Sequence, residues 1–149
     1  MRAVIQRVSE AAVRVDGAIV GSIGNGLMVL LGVAGDDTEA DAGAIADKIA
    51  TLRCFPGDGS NYEHSVHEVG GGVLVISQFT LLGDCRKGRR PSFSSAARPE
   101  LATALYEKVI ELLHAHALHV EQGRFGAHMD VSLVNDGPVT LMIDSKRSF

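Results

Sequence analysis

At 149 residues the chain is a single domain, long enough to bury a core without disulfide or metal staples. Hydrophobic residues at 46% and charged residues at 21% exclude a disordered polymer, and a formal net charge of -4 excludes a global basic field, so any nucleic-acid contact has to be local. No stretch approaches a membrane span, residues 1–7 lack the apolar run of a signal peptide, and Cys54 and Cys85 read as free thiols of a reducing compartment, so the expected location is cytoplasmic.

Residues 2–8 and 11–16 alternate, with Ala3, Ile5 and Arg7 on one side and Val4, Gln6 and Val8 on the other. Asp16-Gly17 signals a hairpin into a strand over 18–23. The run over 27–33 is apolar throughout, as a central strand covered on both faces would be. Asp36-Asp37-Thr38 supplies capping chemistry, with Asp41 completing a variant capping box. Ile45, Ile49 and Leu52 then predict a helix over 39–53. Pro56-Gly57 breaks it, and residues 60–70 read as a loop with a short helical turn near Val66.

Gly70-Gly71-Gly72 leads into a strand over 73–81, in which Ser77 and Phe79 share one face and Gln78 and Thr80 the other. A pocket wall and a strand fraying into the Gly83-Asp84 turn both fit this spacing. Arg86, Lys87, Arg89 and Arg90, interrupted by Gly88 and followed by Pro91, form a flexible basic loop, either solvated or a phosphate gate. A second helix starts near Pro99, with Leu101, Leu105, Val109 and Leu112 along one row. Short strands follow over 118–121, 129–134 and 139–144, the last two separated by Asn135-Asp136-Gly137-Pro138, for which a plain turn is the expectation. The whole reads as α+β: a largely antiparallel, barrel-like sheet with two main helices in one domain over residues 1–149.

Neither His64/His67 nor His114/His116/His119 matches a zinc spacing, so no metal is expected. No Gly-x-Ser-x-Gly elbow is present, so a hydroxyl nucleophile with an obvious histidine base is not legible.

Ser77-Gln78-Phe79-Thr80-Leu81 together with Asn135-Asp136-Gly137-Pro138-Val139-Thr140 resembles the signature pair of the D-aminoacyl-tRNA deacylases. The likeness extends through residues 1–8, 86–93 and 123–127 and covers essentially the whole chain. It implies hydrolysis of the ester between a D-amino acid and the 3′-terminal adenosine of tRNA, with no cofactor, by a homodimer whose two sites lie at the interface. Ser77, Gln78, Phe79 and Thr80 would line the pocket of the scissile ester. A cis Gly137-Pro138 peptide, flanked by Val139 and Thr140, would enter the partner's pocket and exclude L-residues. Arg86, Lys87, Arg89 and Arg90 would meet the phosphates of the CCA end. Glycyl esters would pass such a filter, and the family is associated with clearing glycine mischarged onto alanine tRNA. Thr80 is the natural candidate nucleophile but has no visible base, so the favoured alternative is a site that binds and orients, with Thr80 contributing and the tRNA ribose 2′-OH helping. A non-catalytic binder of RNA ends and an esterase acting on free D-amino-acid esters are the competing readings.

Overall fold

The computed structural model describes residues 1–149, and one long strand organises it. β1 (Arg2–Val15) is paired on both edges. Along one edge its first half meets β3 (Gly26–Gly32) and its second half β2 (Ala18–Ile23), both antiparallel. Along the other runs β6 (Asp130–Asp144), also antiparallel. The β1–β2 hairpin closes through Asp16 and Gly17, whose φ values of 51° and 80° are those that the Asp-Gly pair tolerates.

From β3 the sheet continues through β4 (Gly72–Ser77) to β5 (His119–Gln122), and both of these pairings are parallel. Parallel neighbours need a crossover. Helix α1 (Glu39–Thr51) supplies the first and α2 (Pro99–Ala115) the second. The sheet is therefore mixed, with three antiparallel pairings around β1. At the far side β2 approaches β5 closely: a Cβ on Gly21 would stand 2.7 Å from the Gln122 carbonyl oxygen. The sheet curls into a nearly closed barrel.

Local chemistry explains the helices. The Asp41 carboxylate accepts the Thr38 N–H at 2.8 Å in the anticipated capping box. Pro99 opens α2, where its missing N–H costs nothing. α1 buries Ala42, Ile45, Ala46, Ile49 and Ala50, and each isoleucine contributes about 2 kcal/mol by leaving water. The helices cover one sheet face through Ile5, Leu27, Val29, Val73 and Val75. Met28, Leu74, Ile76, Val8 and Val13 fill the barrel on the other. That double cover is why β3 and β4 read as unbroken apolar runs.

Two expectations change. The strand expected over 73–81 stops at Ser77, and the turn expected at 135–138 lies inside the continuous strand β6. Cys54 is buried and Cys85 exposed, and neither is in a disulfide. No helix is long and apolar enough to cross a membrane.

Candidate active site

Past Ser77 the chain tightens into a 3₁₀ turn over Phe79–Leu82. Gln78 still donates its N–H to the Leu31 carbonyl at 2.7 Å, so β3 guides the chain up to the bend. The Leu81 N–H then reaches the Gln78 carbonyl at 3.2 Å, and the Gly83 N–H the Thr80 carbonyl at 2.9 Å. Gly32 makes room for this: a Cβ there would lie 2.9 Å from the Gln78 carbonyl oxygen and 2.7 Å from the Leu82 side chain. Gln78 and Thr80 are neighbours, as strand alternation predicted, but the tight turn is the cause. The Gln78 amide donates to the Thr80 hydroxyl. As the opening residues of a helical turn, Phe79 and Thr80 have backbone N–H groups with no intrahelical acceptor.

Ser77, Gln78 and Phe79 line a cavity of about 530 Å³ and Thr80 does not, so the expected wall of Gln78 with Thr80, opposite Ser77 and Phe79, is not what forms. Its walls are mostly apolar and include Leu31, Val33, Ile76, Tyr106, Phe125 and Met129. The Tyr106 hydroxyl donates to the Val75 carbonyl at 2.8 Å, which ties α2 to β4 just before the bend. Burial pushes the Tyr106 pKa well above the usual phenolic range. Its ring faces Phe125 with centroids 5.9 Å apart.

The Gly137-Pro138 segment is built differently. In the β1–β6 ladder Gln6 faces Thr140 and Val8 faces Asn135. β1 thus advances by Arg7 alone while β6 spends residues 136–139, which leave the ladder as a bulge. Gly137 takes φ +150° there, and its bond to Pro138 is cis. Asn135 closes the bulge from below, its side chain accepting the Val139 N–H at 2.7 Å and donating to the Val139 carbonyl at 3.1 Å. Arg7 holds it from within, donating to the Asp136 carbonyl at 2.8 Å and to the Cys54 carbonyl at 2.7 Å. Gly137, Pro138 and Thr140 are exposed and Val139 is buried. None of these four lines the cavity of its own chain.

The basic loop is pinned at its neck, where Asp84 and Ser92 exchange backbone hydrogen bonds at 2.7 and 2.9 Å. Arg86 is not a free cation. It meets the Asp84 carboxylate through Nε at 2.9 Å and Nη2 at 2.7 Å, a two-point pair that holds the Asp84 pKa far below the usual carboxylate range and raises that of Arg86. Lys87, Arg89 and Arg90 are exposed and make no ion pair. No group of three or more His, Cys, Asp or Glu side chains is arranged to hold a metal, and His116 faces Asp47 at 2.9 Å instead.

The structure brings Ser77, Gln78, Phe79 and Thr80 together at one corner. It sets the Gly137–Thr140 bulge and the basic loop apart from the cavity. Sequence reasoning missed Arg7, Asn135 and Tyr106 as the supports of these features. Arg7 did carry a signal, since alternation puts it on the same face as buried Ala3 and Ile5, where an arginine needs partners.

Comparison with known proteins gives a consistent result. The family model described as D-Tyr-tRNA(Tyr) deacylase matches residues 4–144. A D-aminoacyl-tRNA deacylase of Anaeromyxobacter dehalogenans is 60% identical over the full length of both chains. One of Symbiobacterium thermophilum is 56% identical over all of this chain and 99% of its own. Among solved structures, a c-Myc DNA unwinding element binding protein superimposes with a TM-score of 0.90 at 38% identity, over 97% of this chain and 98% of the other. A probable eukaryotic D-amino acid tRNA deacylase shares the fold, with a TM-score of 0.82 at 19% identity, over 96% of this chain and 98% of the other.

Proposed function

The chain belongs to the family of D-aminoacyl-tRNA deacylases, and on that premise we propose that it is a homodimer that hydrolyses the ester of D-aminoacyl-tRNA while sparing L-aminoacyl-tRNA. The observation that carries this reading is the Gln78–Thr80 corner beside a mostly apolar cavity that includes Phe79 and Phe125. A flat, unpaired terminal nucleoside suits the exposed Phe79 and Phe125 rings, because aromatic side chains stack on bases irrespective of sequence. The ester then lies over the corner. A water oxygen adds to its carbonyl carbon, the N–H groups of Phe79 and Thr80 hold the resulting oxyanion, and the bond to the ribose 3′ oxygen breaks. The proton lost by the water ends on that oxygen, so the products are free amino acid and tRNA. Ser77 and Gln78 position substrate and water. The Thr80 hydroxyl is engaged by Gln78 and bonded by no histidine or carboxylate, so it orients rather than attacks. The neighbouring ribose 2′-OH assists.

Selectivity belongs to the bulge. Gly137 and Pro138 project into solvent outside their own cavity, so they act on the cavity of a second copy. The outer edge of β6 carries no strand, and Val134 and Met142 along it are 50% and 63% exposed, which favours a second copy there. D- and L-esters differ by exchange of the side chain with Hα. A rigid backbone wall against Hα therefore admits one hand and clashes with the other, whatever the side chain. Val139, buried and bonded to Asn135, and Thr140, which accepts from Gln6 and Asn135, fix that wall. Glycine has no side chain to clash, so glycine mischarged onto alanine tRNA is also cleared. Lys87, Arg89 and Arg90 meet the phosphates of the CCA end, while Arg86 stays with Asp84. This work belongs where translation occurs, in the cytoplasm.

The test is a deacylation time course on D-Tyr-tRNA, L-Tyr-tRNA and glycyl-tRNA side by side. The first and third are hydrolysed with multiple turnover and the second survives. Hydrolysis of both tyrosyl substrates, or of neither, overturns the reading. Thr80→Ala keeps turnover within about tenfold of the parent, the worth of one hydrogen bond. A trapped acyl-threonine would refute the orienting role.

A further inference from the structure

We propose that Phe93 is a positioning residue for deacylation: its ring is the fixed post that holds the Phe79 ring, and through it the Gln78–Thr80 corner, at the cavity rim. This rests on the reading of that corner as the ester site. Phe79 is 57% exposed although it lines the cavity. An exposed aromatic side chain without a partner samples its rotamers freely. Phe79 has one aromatic partner, the Phe93 ring, met edge-on with centroids 5.1 Å apart and planes 70° apart.

Phe93 is itself held. Its carbonyl accepts the Ala96 N–H at 3.0 Å, and the residues that follow are locked onto the end of β3. The Ala97 N–H reaches the Val33 carbonyl at 2.9 Å, and the Gly35 N–H the Ser95 carbonyl at 2.9 Å. The Ser95 hydroxyl adds a bond to the Leu82 carbonyl at 3.0 Å. On its other side the ring backs onto Gly83, where a Cβ would lie 3.0 Å from it. The post thus belongs to the stem of the loop, below the Asp84–Ser92 bridge, and not to its cationic tip. Its effect on the corner is independent of any phosphate contact, and Phe93 does not line the cavity, so it acts through Phe79.

Steady-state kcat and KM decide this for the parent, Phe93→Leu, Phe93→Tyr, Phe79→Ala and the Phe79→Ala/Phe93→Leu double variant. Each is assayed on D-Tyr-tRNA and on 3′-O-D-tyrosyl-adenosine, which presents the same ester without phosphates. Phe93→Leu lowers kcat about three- to tenfold on both substrates, the worth of an aromatic pair, with KM for tRNA unchanged. Phe93→Tyr restores the parent kcat, and Phe93→Leu lowers kcat no further once Phe79 is alanine. Should Phe93→Leu fail to fold, Phe93→Met, whose flexible side chain fills irregular gaps but carries no ring, gives the same measurement. An unchanged kcat, a loss confined to KM on tRNA, or an additive double variant overturns the role of Phe93 while leaving the deacylase reading intact. A parent inactive on D-Tyr-tRNA but folded overturns that reading instead, and Phe93 with it.

Discussion

At Ser77 strand β4 stops and the chain tightens into a turn, whereas at Asn135 strand β6 leaves its ladder for four residues and rejoins the same partner. The corner is held mainly by main-chain bonds and by close packing on Gly32, with side chains only at its margins: Tyr106 on the strand behind it, and Arg2 and Ser95 on the Leu81 and Leu82 carbonyls at its end. The bulge is held by two polar side chains, Arg7 and Asn135, that take over bonds the ladder has given up. A turn built from backbone keeps its fold when one side chain is lost, even where that side chain tunes the site. A bulge built from side chains does not.

The contrast is sharpest at the two supports. Arg7→Met leaves the buried Cys54 carbonyl and the part-buried Asp136 carbonyl without charged donors, and should cost about 3 kcal/mol of stability in urea denaturation. Amide exchange should accelerate first around residues 135–139. An unchanged midpoint would mean that the bulge stands without its inner prop. Gly137→Ala comes next. At φ +150°, with the new Cβ 2.7 Å from the Val139 nitrogen, it should cost about 2 kcal/mol and blur the difference between D- and L-tyrosyl esters. Full stability with full selectivity would show that the bulge adapts.

Tyr106→Phe should cost only about 1 kcal/mol, because the Gly123 N–H still reaches the Val75 carbonyl at 3.1 Å. Its signature is in pH. The Tyr106 pKa is raised in the folded protein, so its stabilisation is complete below the unfolded value of about 10 and is lost as pH rises from there through the folded value. Melting temperatures measured across the alkaline range should fall more steeply for the parent than for Tyr106→Phe. Parallel curves would remove the hydroxyl from the account. The smallest effect is Asp84→Asn, which frees Arg86 and should steepen the slope of log affinity for tRNA against log salt by less than one unit, about 0.7 to 0.9. No change in slope would place the loop out of reach of phosphate.

Both helices were legible because their signals are local. Thr38 with Asp41, Pro99, and apolar residues at helical spacing act within a turn or two of chain. β1 was legible by alternation and β3 by its unbroken apolar run. The parallel pairings follow from strands separated by helices, an order visible in the sequence but outweighed by the hairpin at Asp16-Gly17. The end of β4 was not legible: Gln78, Phe79 and Thr80 suit a strand, and what stops them is the glycine on the neighbouring strand that lets the turn pack down. Asn135-Asp136-Gly137-Pro138 was legible as a local departure from the ladder but not as one that returns to the same partner, because β1 sets that return more than a hundred residues away. Among the loop cations, spacing did not reveal that Arg86 folds back onto Asp84.

The neck of the basic loop has an engineering consequence. Asp84 and Ser92 close the ring of chain above them, and everything that steadies Phe93 lies below. Residues 85–91 can therefore be shortened, lengthened or exchanged for another cationic sequence at little conformational cost, since closing a somewhat longer flexible loop adds only about half a kcal/mol per doubling of its length. On the proposed role of Lys87, Arg89 and Arg90, the reach toward an RNA can thus be retuned as a part separate from the chemistry.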